Sequence, residues 1–163
     1  MSVITSANCA REMAVEVLHS SGCLQMQVTG ASMLPTLWPG DLLRIRANPS
    51  SQIGPGDVVL FEREGRFFVH RVVRTRAECV VTRGDCMPQD DSPISPAQIL
   101  GRVMEVRRGE QSFAVPAKVS VSQRCLAWCF CRWDLLSRLG MRWHAAKRGA
   151  RSVQSTAYPS LPA

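Results

Sequence analysis

A serine, a histidine and a small group of aspartates are the residues of this chain whose types and settings could do covalent chemistry. Ser32 stands in "VTGASMLPTLWPGD", residues 28–41, between a Gly-Ala pair and a Met-Leu-Pro run, with a second turn at Pro39-Gly40-Asp41. His70 lies inside "FFVHRVV", and Asp85, Asp90 and Asp91 crowd the segment "RGDCMPQDD". A serine hydroxyl is a poor nucleophile until a neighbouring base takes its proton, and an imidazole base is held in the useful tautomer by a carboxylate on its other nitrogen. The three residue types together suit acyl transfer, with Ser32 attacking and His70 as the base. Each alone is ordinarily structural, a solvated loop serine or a histidine in an alternating strand. The chemistry therefore rests on whether the surrounding elements bring them together.

Those elements read as mainly β. The segments "LQMQVTG", "DLLRIRA", "DVVLFER", "RFFVHRVVR", "ECVVTRG", "ILGRVMEVRR" and "QSFAVPA" are short, rich in β-branched and aromatic residues, and separated by Pro, Gly, Asn and Asp clusters. Glu64-Gly65 predicts a tight hairpin between two of them, and Gly54-Pro55-Gly56-Asp57 a turn entering a strand. Before them, residues 5–20 predict a short helix, with Ala10, Met13, Ala14, Val17 and Leu18 at helical spacing and Gly22 as its stop. After them, from Ala117, the pattern turns helical again. The expected organisation is an N-terminal helical segment (1–23), a β catalytic domain (24–116) and a basic helical tail (117–163) with residues 149–163 as a disordered end.

The stretch "GASMLPTLWPGDLL" resembles the nucleophile box of the signal peptidase I family, in which Gly-x-Ser-Met-x-Pro-Thr-Leu-x-x-Gly-Asp carries the catalytic serine. "GPGDVVLFE" resembles the strand that follows, "FFVHRVV" the general-base box and "VTRGDCMPQDDS" the Gly-Asp box, so the four stand in the family's order over about residues 28–106. The resemblance implies a β-ribbon catalytic domain of the kind shared with the SOS-type self-cleaving repressors, and serine endopeptidase activity on a leader or signal segment. Most bacterial and organellar members carry lysine where this chain has His70. The archaeal, spore-forming-bacterial and endoplasmic-reticulum branch uses histidine, and the only lysines here are Lys118 and Lys147, both in the tail. In that branch the third catalytic member aligns with Asp91. Asp85 matches the first aspartate of the box, where it orients the site or caps a turn, and Asp90 ranks third. The family's substrate lies as an added strand beside the nucleophile, which implies substrate contacts at Gly30, Ala31, Met33 and Pro35. Many relatives place a serine hydroxyl two residues before the nucleophile as a second oxyanion donor, and that position here is Gly30. No cofactor and no metal are implied.

Charge divides the chain. Residues 1–116 hold 12 basic and 12 acidic side chains, whereas 117–163 hold 8 basic residues and only Asp134, so the whole net charge of +7 sits in the tail. Within it "RCLAWCFCRWDLLSRLGMRW" sets Arg124, Arg132, Arg138 and Arg142 largely on one side, with Trp128, Leu135 and Leu139 near that stripe. Arginine with Trp, Phe and Leu is the composition of a helix lying in a lipid interface, and packing on the β body with solvated arginines is the other reading. The expected partners are a peptide or precursor-protein substrate and a peripheral membrane surface through residues 117–150, with no nucleic acid. Seven cysteines, an odd number, fit a reducing compartment better than a paired disulfide framework. Cys125, Cys129 and Cys131 with His144 do not have zinc-knuckle spacing. Arg11, Glu12 and Glu16 exclude a signal peptide or membrane span at the N-terminus, so the expected location is peripheral to a membrane or cytoplasmic. A non-catalytic peptide-binding scaffold and a self-cleaving regulator stand as alternatives. The second fits less well, since about 25 residues before the β body cannot hold a helix-turn-helix domain and such regulators use a lysine base.

Overall fold

The computed structural model of the chain describes residues 2–47 and 52–117. The tail beyond Ala117, with its arginine stripe and cysteine cluster, lies outside the described residues. Helix α1, Ser2–Ser21, comes first. It stops where Gly22 takes φ 71°, a left-handed value that suits glycine, and donates its N–H to Leu18 O at 3.0 Å. The face turned toward the sheet runs through Arg11, Ala14, Val15 and Leu18, an i, i+3, i+4, i+7 pattern, and only Leu18 is fully buried. Three of the five apolar residues whose spacing marked the helix, Ala10, Met13 and Val17, therefore stay exposed. No described helix is long and apolar enough to cross a membrane.

Seven strands follow: β1 Cys23–Gln27, β2 Leu42–Arg46, β3 Val58–Arg63, β4 Arg66–Thr75, β5 Val80–Arg83, β6 Ile99–Arg108 and β7 Gln111–Phe113. Each coincides with one of the segments that the sequence marked, β1 beginning one residue earlier at Cys23 and β4 ending one residue later at Thr75. They form one antiparallel sheet in the order β1-β2-β6-β3-β4-β5, with β7 paired to β6. The β3–β4 hairpin turns on Glu64 and Gly65, at φ 52° and 70°. Two successive positive φ values give the turn whose twist matches that of paired strands.

Strand β3 lies between two cores. Val58 and Leu60 project into a cluster with Leu18, Met33, Leu37, Leu43, Ile45, Val103 and Val106. Val59 and Phe61 project into a second cluster with Ile53, Val72, Val80, Ile94 and Ile99. Both faces being covered explains why "VVLF" reads as a continuous apolar run instead of an alternation. The pairing of β6 slips out of register against β2 between Arg44 and Ile45, and against β3 between Leu60 and Phe61. Such irregularities bend and twist a sheet, and here they lie on both sides of its central strand.

Gly101 sits between these two slips. A Cβ built there would lie 2.5 Å from Arg46 O and 2.9 Å from the Ile45 side chain. Backbone cannot retreat as a side chain tip can, so Gly101→Ala is expected to destabilise the fold by about 1–3 kcal/mol. Urea unfolding followed by circular dichroism reads this as a lower midpoint with an unchanged slope.

Candidate active site

Ser32 belongs to the connection between β1 and β2, and that connection is the stretch from Val28 to Asp41. Val28 N–H donates to Asp41 O at 2.9 Å and Gly40 N–H to Val28 O at 2.7 Å, so the hairpin ladder closes the loop at its base. Met33, Leu34, Thr36 and Leu37 are buried, and Met33 and Leu37 join the core around Leu18. The loop is therefore packed down by its own side chains rather than lying free on the surface.

Asp41 holds the end of this loop. It is fully buried, and Arg108 of β6 grips it through Nε–Oδ1 at 2.9 Å and Nη2–Oδ2 at 2.7 Å. The same carboxylate accepts the Trp38 N–H at 2.7 Å, while Arg108 Nη2 also donates to Thr36 O at 3.1 Å. Removing one partner of a buried pair strands the other charge and costs roughly 3–5 kcal/mol. The Gly-Asp that closes the nucleophile stretch is thus an anchor, joined to the far end of β6.

His70 lies on β4 opposite Val59 of β3, on the face that also carries Phe68 and Val72. Its ring meets Phe61 edge-on at 5.9 Å and Phe68 at 6.0 Å between centroids, and the residue is 6% exposed. Nε2 lies 3.0 Å from Ser32 Oγ, and Nδ1 lies 2.6 Å from Asp91 Oδ2. A carboxylate can only accept, so Nδ1 carries the hydrogen toward Asp91 and the Nε2 lone pair faces the serine hydroxyl. Asp91 reaches this place because the chain after β5 folds back along it. Asp91 N–H donates to Thr82 O at 2.8 Å, Val80 and Ile94 form a bridge, and Thr82 Oγ1 donates to Asp91 Oδ2 at 2.6 Å.

The three aspartates separate by partner. Asp85 is gripped by Arg71 through Nε–Oδ1 and Nη2–Oδ2, both 2.8 Å, and accepts the Thr36 hydroxyl at 2.5 Å, so it braces the nucleophile loop and does not face His70. Arg71 Nη1 also donates to Gly56 O at 2.9 Å and Pro116 O at 2.7 Å, so each nitrogen of the guanidinium makes at least one hydrogen bond. Asp90 pairs at the surface with Arg74 at 3.2 Å and Arg83 at 3.3 Å. Sequence reading singled out neither Arg71, Thr36, Thr82 nor Arg108. The signal for Arg71 was its place beside His70; nothing in the local pattern distinguished the others.

A cleft of about 260 Å³ opens in front of Ser32 and His70, between residues 26–30 and Phe67–His70 of β4. Gly30 and Met33 border it. Ala31 and Pro35 are half-buried and lie off its lining, and their carbonyls accept the Leu34 N–H at 3.2 Å and the Trp38 Nε1–H at 2.9 Å within the loop. Met33, Leu37 and Leu43 give the cleft an apolar floor. Among the described residues no group of His, Cys, Asp or Glu is arranged to hold a metal ion, and Cys79 is a free thiol.

The arrangement can pass a proton from a hydroxyl to an imidazole whose other nitrogen is steadied by a carboxylate, beside a groove that admits an extended chain. A protein-family model described as Peptidase S24-like matches residues 6–104, a span that takes in Ser32, His70 and Asp91 and ends inside β6. No curated protein matches the chain.

Gly84 sets how closely the Asp85 loop approaches the nucleophile. Cys86 N–H donates to Ser32 O at 2.9 Å, and a Cβ on Gly84 would lie 2.6 Å from Ser32 O and 3.1 Å from Ser32 Cβ. Gly84→Ala must displace Ser32, and misplacement by about 1 Å can cost on the order of 10²-fold in rate. Reaction of Ser32 with a fluorophosphonate, timed by intact mass, is expected to slow by about that factor while the near-ultraviolet dichroism of the fold is retained.

Proposed function

The chain belongs to the Peptidase S24-like family, and from that premise we propose that it is a serine endopeptidase which cuts a leader or signal segment in the manner of signal peptidase I, with Ser32, His70 and Asp91 as its catalytic residues. The observation that carries the reading is the imidazole of His70 lying between Ser32 Oγ at 3.0 Å and Asp91 Oδ2 at 2.6 Å. Ser32 Oγ attacks the scissile carbonyl carbon as its proton passes to His70 Nε2. That transfer accelerates such steps by roughly 10²–10⁴-fold. The tetrahedral intermediate collapses, the C–N bond breaks, and His70 returns the proton to the leaving amine. Water then enters, gives a proton to His70 and attacks the acyl-enzyme, and Ser32 is regenerated. Asp91 stabilises the imidazolium in both halves.

The oxyanion falls to the Ser32 N–H, which no hydrogen bond among the described residues engages. Gly30 supplies no hydroxyl, yet a Cβ built there meets nothing within 4 Å. The substrate fits as an added strand. Among the described residues β1 pairs only with β2, and β5 pairs with β4 only from Arg71 onward, so within them two unpaired backbone edges flank the cleft. An extended peptide laid between them gains main-chain hydrogen bonds and turns alternate side chains toward the apolar floor.

Self-cleavage is the second reading, favoured by the fold that the family shares with self-cleaving regulators. The same incubation separates it from the first. Purified chain is mixed with a peptide library, and both peptide products and the chain's own mass are followed. Peptide cleavage that vanishes in Ser32→Ala, and falls by about 10²–10⁴-fold in His70→Ala and Asp91→Ala, is the expected result. Loss of chain mass with untouched peptides supports self-cleavage, and equal inertness of wild type and Ser32→Ala would mark a peptide-binding scaffold. Gly30→Ser is expected to raise turnover about tenfold or more, since one oxyanion donor can be worth roughly 10²–10³ in rate; steady-state kinetics on a cleaved peptide measures it.

A further inference from the structure

We infer that Thr82 is a positioning residue for the base: its buried hydroxyl locks the Asp91 carboxylate in the one orientation that keeps the His70 Nε2 lone pair on Ser32. The inference rests on the catalytic reading above. Thr82 is the cross-strand partner of Val72, and Val72 lies two residues beyond His70 on the same strand and face. The register of β4 against β5 therefore sets the Thr82 side chain beside the imidazole, on the side where Asp91 arrives.

Thr82 holds Asp91 at two points. Its carbonyl accepts the Asp91 N–H at 2.8 Å, and its Oγ1 donates to Asp91 Oδ2 at 2.6 Å. Oδ2 is also the oxygen that His70 Nδ1 reaches at 2.6 Å, so a single atom takes two short hydrogen bonds from donors on adjacent strands. An ionised carboxylate has no hydrogen to give, and both partners must donate. The hydroxyl thus removes the freedom of the carboxylate to turn about its Cβ–Cγ bond, and with it the alternative in which Nδ1 loses its acceptor.

Burial argues that the hydroxyl is held for this bond. Thr82 is fully buried, with Val80 and Val81 before it on the strand. Valine would fill the same space on a strand with equal ease, whereas a buried hydroxyl is costly unless it is hydrogen-bonded. Here its partner is the charged oxygen that steadies the base, and a hydrogen bond to a charged group is worth more than a neutral one. Asp91 itself keeps 14% of its side chain exposed, so a carboxylate freed from Thr82 has water to turn toward.

The test compares Thr82→Val, which removes only the hydroxyl, with Thr82→Ser, which keeps it. Two readouts are taken on full-length chain: the rate of Ser32 phosphonylation with the kcat and KM of a cleaved peptide, and the downfield proton resonance of His70 Nδ1–H. Thr82→Val is expected to lower kcat and the labelling rate by about tenfold, leave KM within twofold, and shift or broaden the downfield resonance; Thr82→Ser restores all three. Thr82→Val within twofold of wild type with an unchanged resonance overturns the inference, as does Thr82→Ser impaired as severely as Thr82→Val. If Thr82→Val loses its near-ultraviolet dichroism, Thr82→Ala replaces it with the same expected outcomes. A wild-type chain whose Ser32 neither labels nor cleaves sinks the catalytic reading instead, and the resonance still decides whether Thr82 orients His70.

Discussion

A hydrogen bond of 2.6 Å between His70 Nδ1 and Asp91 Oδ2 joins parts of the chain that 20 residues of strand, turn and loop keep apart. Its geometry depends on strand β4 keeping His70 opposite Val59, and on the chain after β5 doubling back so that Asp91 lies against Thr82. A slip of one residue in β4 would send His70 to the opposite face and bring Val69 or Arg71 in its place. That slip is opposed by the cores on either side of β3, where Val58 and Leu60 fill one and Val59 and Phe61 the other. Packing of apolar side chains thus fixes the position of a polar contact that contributes little to packing itself.

Two buried ion pairs form the frame around that contact. Asp41 with Arg108 pins the end of the nucleophile loop to β6, and Asp85 with Arg71 pins its middle, through Thr36, to β4. In both the guanidinium spans both carboxylate oxygens, a geometry that fixes direction as well as distance. Such pairs add little net stability once the cost of desolvation is counted, but breaking one leaves a stranded charge. Their contribution is to hold one loop conformation against others. The aspartates consequently divide by role: two brace the loop, one faces the base, and Asp90 pairs with arginines at the surface.

The same frame leaves the cleft open. Ser32 O accepts the Cys86 N–H, Gly84 allows the two loops to touch, and the buried Met33 and Leu37 draw the serine down to the floor of the groove. Among the described residues β1 and the first part of β4 have an unpaired edge beside that groove, and in a sheet such edges readily add a strand.

Much of this was legible in the residues themselves. The strands followed from alternation and turn chemistry and the Glu64-Gly65 hairpin from its turn residues, while Ser32 and His70 stood out as candidates through the resemblance of their surrounding boxes. These are local properties, decided by backbone sterics and by which face of a segment is apolar. Tertiary structure decided what local pattern could not. Residue types alone left Asp85, Asp90 and Asp91 as alternatives, because all three lie in one short loop; only the fold-back along β5 sets one of them against His70. The carbonyls of Ala31 and Pro35 are taken by hydrogen bonds within the loop, and the more buried face of α1 runs through Arg11, Ala14, Val15 and Leu18 because the sheet beneath meets one side of the helix. Thr36, Thr82 and Arg108 were silent in the sequence for a common reason: each acts through a partner between 9 and 67 positions away, and proximity of that kind is made by register and packing, not by spacing along the chain.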